Sequence, residues 1–599
     1  MRARLLSVVL SLVVVVGCSS VSERPGTDAA LALAITQVMI DRGWYDHDFV
    51  RTWTNGPLLV RSDNGHFLKG SDLAPDGSPQ HYVAWDESAG EPVLYDPAIG
   101  RYLGADGDLA CFGTVQVATS QGKHACRPAF DFVAEACRRI PLAEVAKICG
   151  VAGDQIVAAA RMLWEARPVA YYAWSGVEQQ TGATDIARAI AQLYALTGCL
   201  DEHGGNVLFT PVPTANVGGV DIPAVDPQAP TLGLAERPLG PARFGHVTTD
   251  ELYRGILEGK PYPVHGLVTF GSNLLVSHAD GRRGRAALGA LDFYVHADLF
   301  MNPTAEMADI VLPVASCFES EALRPGFEVS AEAQAHVQLR RPVVAPRGEA
   351  RSDTEIIFDL ARHLGLGQYF WDGDIAAAYR QQLGPAGITL ETLADNPGGV
   401  RLPLQTRYRK FAEALDGAPQ GFNTPSRKIE LYSEVFLAHG YAPVPVYTEP
   451  LVSPRAQPNL AVHFPLIFTC AKNTLFCESQ NRNLPSLRRR ALDPEVELHP
   501  EAAAARGIVE GDWVAIATPM GSVRARARFN ATLAPDVVCG QHGWWQACPE
   551  LGAPGYDPFS AEGSNLNTII GTEALDPVSG SVPHRAYLCE ISLAVPGGI

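Results

Sequence analysis

Apolar side chains return at helical intervals near the start of the chain, where Leu31, Ile35, Val38 and Met39 lie three or four positions apart or adjacent. Pro25-Gly26-Thr27-Asp28 precedes them, with Thr27 or Asp28 placed to cap a helix, and Gly43 follows where such a helix would stop. An amphipathic helix is predicted there. Residues 154–166 read as a helix halted before Pro168, 169–174 as an apolar strand, and 184–197 as a helix closed by Gly198. Residues 264–270 then read as a strand ending in Gly271-Ser272-Asn273, 292–296 as a second strand, 304–308 as a helix and 310–314 as a buried strand. Strands and helices alternating in this order predict an α/β fold with Rossmann-like, parallel-sheet domains.

Other stretches break the rhythm. Residues 62–122 are rich in Gly, Asp and Pro with short β-like pieces, which predicts an excursion over the surface. Residues 211–243 are Pro- and Gly-rich and irregular, and residues 373–450 mix helical and loop character on the way to a last domain. From Gly511-Asp512 the style changes: 513–518, 523–529 and 537–540 are short strands with tight turns, the pattern of a small β-barrel.

Composition narrows the function classes. A chain of 599 residues, 47% hydrophobic and 19% charged, is globular and long enough for three or four domains. Its formal charge of −18, with no basic tract to offset it, repels nucleic acid and anionic membrane, so nucleic acid is excluded as a partner. None of the twelve cysteines forms C-x-x-C, which gives no basis for a four-cysteine cluster and points to free thiols rather than a disulfide framework.

The first twenty residues stand apart. Arg2 and Arg4 precede an apolar run at 5–16, and Val15-Val16-Gly17-Cys18 resembles a lipoprotein cleavage box, the run being short for a membrane span. Only a few residues separate Cys18 from Pro25, less than a polar tether needs. Two readings compete: a lipoprotein anchored through Cys18, or an aberrant start from a truncated or frame-shifted gene. The short tether favours the second, and with it a cytoplasmic chain.

Several chemistries drop out. There is no H-E-x-x-H and no G-x-S-x-G. Gly365-Leu366-Gly367 lacks the third glycine of a dinucleotide fingerprint and follows a helix rather than a strand. Gly255 and Gly259 are one residue too close for a P-loop, and Pro261 forbids the helix that must follow. His542 beside Trp544 and Trp545 reads as core. The Gly271-Ser272-Asn273 turn is different, because it closes a strand of a parallel pattern, where open α/β sheets bind ligands. Glycine admits close approach of a ligand to the backbone, and Asn273 offers a donor and an acceptor. Asp298 follows the next strand, so its carboxylate is expected on the same edge, where it could accept from N1 and N2 of a guanine.

Gly271-Ser272-Asn273, the run from Asp298 to Ala305 and Ala308-Asp309-Ile310-Val311-Leu312-Pro313 resemble the dimethyl sulfoxide reductase family of molybdopterin oxidoreductases. Gly176 to Gln180, Leu196-Thr197-Gly198 and Gly204-Gly205-Asn206 are similar to its middle domain. The Gly511-Asp512 barrel, His542-Gly543-Trp544-Trp545 and residues 565–580 are similar to its last. The resemblance runs from Pro25 onward. It implies a molybdenum or tungsten centre held by two pterin dithiolenes carrying guanine nucleotides, and a C-terminal barrel of double-psi type. By motif, Gly271, Asn273, Asp298 and Asn302 would line a guanine site, and Gly176 and Gln179 would face the pterins. Thr469, Lys472 and Ser479 would contact the cofactor from the barrel, Lys472 neutralising a pyrophosphate, with Asn565 and Asn567 at a pterin.

On this reading 1–24 is a signal-like or aberrant start, 25–260 a partial α/β domain, 261–370 a second cofactor-binding segment, 371–455 a connection and 456–599 the barrel. The family's cluster-binding cysteine module and metal-ligand loop have no counterpart, so no iron–sulfur cluster, no protein ligand to the metal and no catalytic residue is assigned. The chain purified alone is expected to hold no stoichiometric iron and little molybdenum or tungsten. The implied activity is two-electron redox or oxygen-atom transfer on a small molecule, together with an electron-transfer subunit or a complementary chain. A non-catalytic cofactor-binding scaffold and a non-redox hydratase or hydroxyltransferase are the alternatives.

Overall fold

Alanine on several faces at once lets a helix be surrounded, and that is the fate of Asp28–Arg42, DAALALAITQVMIDR, twelve of whose 15 residues are buried. The computed structural model describes residues 23–104, 108–218, 230–415 and 417–594; the cleavage-box motif at Cys18 lies outside them. Helices Ala129–Arg138, Leu142–Cys149, Gly153–Glu165 and Ala183–Thr197 all pack on Asp28–Arg42. The predicted amphipathic helix is therefore a central one. Ala29, Ala30, Ala32 and Ala34 add little bulk, so neighbours close on it from several sides. Thr27 does not cap it through its side chain: its hydroxyl donates to Arg24 O at 2.7 Å.

The chain divides into two units, Met1–Val207 with Gly233–His246 and Arg409–Ile599, and Leu208–Leu232 with Val247–Tyr408. In the first, the stretch expected to wander over the surface is instead two antiparallel sheets. One orders Tyr82–Asp86, Glu91–Asp96 and Arg101–Leu103; the other places Gly122–Pro128 between Leu59–Arg61 and Val115–Thr119. Leu59, Leu68, Val83, Val117 and Cys126 make a core of their own there. The predicted strand at 169–174 does not form a ladder. The Asn206 side chain takes a strand's place, accepting from Tyr171 N and donating to Tyr171 O, both at 2.7 Å.

Six strands, Leu466–Ala471, Glu495–Leu498, Trp513–Thr518, Gly521–Phe529, Val537–Gln541 and Tyr587–Leu593, close the C-terminal barrel. Leu466–Ala471 runs parallel to Val537–Gln541, and Glu495–Leu498 parallel to Gly521–Phe529; the other pairings are antiparallel. Strict alternation puts Val514, Ile516, Val523, Ala525 and Ala527 inside.

In the second unit Gly266–Phe270, Phe293–Asp298 and Ile310–Pro313 form a parallel sheet with Phe293–Asp298 in the middle. Helices Leu274–Ser277, Gly281–Gly289 and Thr249–Glu258 pack in sequence beside it. Strand Ile310–Pro313 is not buried as expected, because it is an edge and Ile310 is 45% exposed. Helix Asp353–His363 has a capping box from Ser352 and Glu355. A second core gathers Val337 and Leu339 with Leu383, Ile388, Leu390 and Leu393. The eleven described cysteines are free thiols, and among the described residues no helix is long and apolar enough to cross a membrane.

Candidate functional site

The sheet edge in the second unit assembles four predicted residues through one hydrogen-bond network. Gly271 has φ +56°, and its N–H donates to Ala297 O at 2.8 Å, which carries the parallel pairing one residue past the strand. A side chain there would meet no atom within 4 Å, so the backbone lies open to a ligand. Asn273 Oδ1 accepts from Thr304 Oγ1 at 3.1 Å, and Thr304 N donates to Asn302 Oδ1 at 3.0 Å. Asn302 Nδ2 donates to Asp298 Oδ2 at 2.8 Å. Gly271, Asn273, Asp298 and Asn302 thus share one edge.

Asp298 is less free than its position in the sequence implies. Leu299 N at 2.6 Å and Asn302 at 2.8 Å hold one oxygen each, and longer contacts of 3.3 Å come from Phe300 N and His296 Nε2. Burial pushes this carboxyl upward, but the bonds from His296, Phe300 N and Leu299 N and the His296 charge outweigh it and hold it below the ordinary value. A ligand donor would compete with the two long contacts. Asn302, 3% exposed, organises the turn. His296 is the residue that sequence reasoning missed: it is fully buried, with Thr269 Oγ1 and Tyr294 Oη at 2.8 and 2.7 Å from Nδ1, which turns Nε2 to Asp298.

A second constellation gathers at one end of the barrel in the first unit. Arg585 joins it: its N and Nε donate to Gln179 O and Oε1 at 3.1 and 3.0 Å, and its Nη1 donates to Cys470 O. Cys470 stands between Thr469 and Ala471, and Lys472 follows as the strand ends. Beside Arg585, His584 Nε2 lies 2.7 Å from Asn567 Oδ1, while Asn565 Oδ1 accepts from Asn567 N at 3.2 Å. Gly176 O accepts from Gln180 Nε2 at 3.5 Å, and that amide also donates to Asp28 Oδ2 at 2.9 Å. Gly176, Gln179, Thr469, Lys472, Asn565 and Asn567 are thereby drawn to one region. Gln180 Oε1 and Ser564 Oγ are buried there with no hydrogen-bond partner among the described residues.

Ser479 is 6% exposed, and its carbonyl accepts from Trp545 Nε1 at 2.7 Å. The loop around it rests on Arg482 and Arg488, both essentially buried against buried Trp544, with guanidinium carbons 5.1 and 4.9 Å from the ring centroid. Their guanidinium groups donate to carbonyl oxygens. Burial, then the neighbouring Arg488, pulls Arg482 down to about 9. Neither arginine stands out in the sequence, because an arginine is ordinarily solvated and nothing local marks these two as buried.

The helix Ala183–Thr197 is tied to the same region. Asp576 accepts from Thr184 N and Oγ1 at 3.1 and 2.8 Å, at the positive end of that helix. Asp185 alongside is raised to about 6, by burial first and then by Asp576, against the pull of Arg188. A carboxyl raised in the folded state binds its proton more tightly there, so its contribution is complete below the unfolded value near 4 and is lost as pH rises to about 6. Urea unfolding from pH 4 to 7 should show about 2–3 kcal/mol of this slope disappear in Asp185→Asn. An unchanged slope would assign the titration elsewhere.

The sequence profile of the family described as molybdopterin oxidoreductase matches residues 18–363, and that of the molydopterin dinucleotide binding domain matches residues 466–587. The chain is 25% identical to dopamine dehydroxylase of Eggerthella lenta, over 96% of this chain and 71% of that one. It is 26% identical to a dimethyl sulfoxide reductase of Escherichia coli, over 74% of this chain and 56% of that one. Acetylene hydratase from Pelobacter acetylenicus has a similar fold, with TM-score 0.73 at 22% identity, covering 96% of this chain and 71% of that one.

Proposed function

The chain belongs to the molybdopterin oxidoreductase family, of the dimethyl sulfoxide reductase type, and from that premise we propose that it holds a pterin guanine dinucleotide bearing molybdenum or tungsten and serves two-electron or oxygen-atom-transfer chemistry on a small molecule. The observation that carries this reading is the barrel-end cluster. Gln179, Asn565 and Asn567 supply amides for a heterocycle's edge, while Lys472 and Arg585 supply cations for a pyrophosphate. The orphaned Gln180 Oε1 and Ser564 Oγ offer polar atoms a heterocycle's N–H groups could satisfy, so the residues fit the group. When bound, the metal supplies the redox chemistry, and the chain's residues bind, orient and neutralise.

In the second unit, Gly271 and Asn273 admit and orient a guanine, and Asp298 accepts from it in exchange for its long contacts to His296 and Phe300 N. Cysteines spaced as these are hold no iron–sulfur cluster on this reading, so electrons pass to and from a separate electron-transfer chain.

The test is the nucleotide released by acid from the full chain produced in a host that makes the cofactor, with elemental analysis of the same sample. Guanine nucleotide is expected, with molybdenum or tungsten well below one per chain when the chain is purified alone; absence of the nucleotide, or another base, overturns the reading. Metal together with turnover of a dye-coupled substrate separates the enzyme from a scaffold, and turnover of an unsaturated substrate with water alone identifies a hydratase. Asp298→Asn should weaken guanine nucleotide binding by roughly 1.5–3 kcal/mol, the scale of a charge-assisted hydrogen bond. Calorimetry showing equal affinity would reduce Asp298 to a turn-holding acid.

A further inference from the structure

Lys472, Glu478 and His542 form an alternating cluster at the barrel end. Lys472 Nζ lies 2.5 Å from Glu478 Oε1, and His542 Nε2 lies 2.9 Å from Glu478 Oε2. One carboxylate therefore takes a donor on each oxygen from two separate segments of chain, the end of the first barrel strand and the loop after Val537–Gln541. The three side chains, in the order Lys472, Glu478 and His542, are 44%, 52% and 20% exposed, so solutes reach them.

The cradle is held independently of its occupant. Arg482 donates from Nη1 to Glu478 O and from Nη2 to His542 O, both at 2.7 Å, which fixes the two backbones to each other without involving the carboxylate. Gly543 presses on the same loop: with φ +84°, a side chain there would come within 2.6 Å of Glu478 O. Glu478 itself sits at φ +49°, a left-handed conformation strained for a residue with a side chain. The surroundings over-determine that conformation. Arg482 adds positive charge beside Glu478, its guanidinium donating to carbonyl oxygens rather than to carboxylates. The bond from His542, with that from Lys472 and against burial, holds the Glu478 carboxyl at about 2, so it stays charged.

A pair of donors facing one half-exposed, charged carboxylate is the arrangement of an anion site with its own anion in place. We propose that Glu478 is a built-in occupant of a phosphate-binding site formed by Lys472 and His542, which a phosphate or pyrophosphate group must displace. The inference rests on the cofactor reading given to Lys472 and deepens it by adding what controls access to that residue. Binding at this site exchanges one anion for another, so its affinity is set by the difference between them.

The test uses the full chain and titration calorimetry with inorganic pyrophosphate and, separately, guanosine diphosphate. Glu478→Gln removes the charge and keeps the shape; it should bind pyrophosphate about tenfold tighter than the unaltered chain, the scale of removing one like charge at contact distance. Glu478→Ser should show the same gain. Adding Lys472→Met to Glu478→Gln should abolish it. Equal or weaker binding by both Glu478 variants, or a gain that survives Lys472→Met, overturns the proposal. Guanosine diphosphate separates the two claims: if the unaltered chain fails to bind it, the guanine-nucleotide reading falls, and the pyrophosphate arm still decides whether Glu478 is an occupant.

Discussion

Exchanging Arg488 for methionine should lower the unfolding free energy of the barrel unit by about 3–5 kcal/mol, the summed scale of several hydrogen bonds from one charged donor to carbonyl oxygens. Arg488 is fully buried, with Nε donating to Leu492 O at 2.6 Å, Nη1 to Gln546 O at 2.9 Å and Nη2 to Pro554 O at 3.0 Å. Methionine fills the volume and donates nothing, so the carbonyls of Arg482 and Gln546 are left buried and unserved and those of Leu492 and Pro554 partly so, at roughly 1–3 kcal/mol for each buried group before relaxation. It also loses the guanidinium stacked on Trp544. The neighbour is the control: Arg489 is exposed, and Arg489→Met should stay within about 0.5 kcal/mol. Urea unfolding followed by tryptophan fluorescence compares them. Equal losses for the two variants would mean that the carbonyl staple has no energetic role.

The same pair shows where reading a sequence stops. Arg488 and Arg489 are chemically identical and adjacent, and only the path of residues 544–556 past one of them makes it a core residue. The barrel is legible because short strands and the tight turns between them are marked locally, as at Trp513–Thr518 and the Met520-Gly521 turn after it. Residues 169–174 are not, since an apolar run says that a segment is suited to pairing and leaves the partner open. Here an asparagine side chain took that place. The pattern at Asp28–Arg42 predicts a helix but not its burial on all sides, because alanines count as neutral in the pattern although several neighbours press on them.

In the candidate site, Gly271, Asn273 and Asp298 could be picked out because turn chemistry after a strand is local. The state of Asp298 depends on His296, Asn302 and two backbone N–H groups. His296 carries no local mark, since a histidine on a strand is ordinary until its ring is found enclosed by Thr269 and Tyr294. Arg585 likewise reads as a charge before the last strand; its meaning comes from Gln179, distant in sequence.

That contact yields the second large effect. Arg585→Met should cost about 3–5 kcal/mol of stability, because Arg585 is 8% exposed and serves Gln179 Oε1 and Cys470 O from one guanidinium, two hydrogen bonds from a charged donor. Gln179→Ala alone should cost roughly 1–2 kcal/mol, since the backbone bond from Arg585 N to Gln179 O survives it. The double variant should then be more stable than the sum of the two losses predicts, by about 0.5–3 kcal/mol, if the side chains act on each other. A pH signature separates this contact from simple packing. Burial raises the Asp28 carboxyl, and Arg585 is among the groups that pull it back down. Removing Arg585 raises it further, so the folded variant takes up a proton more readily than the unaltered protein. Stability tied to that proton is complete below the ordinary carboxylate range and is lost as pH rises through the raised value. The deficit of Arg585→Met should therefore widen as pH is increased from about 4 towards neutrality, the lower end being the ordinary carboxylate value. A deficit constant across that range, with strictly additive single losses, would show that Arg585 only fills space between Gln179 and the barrel.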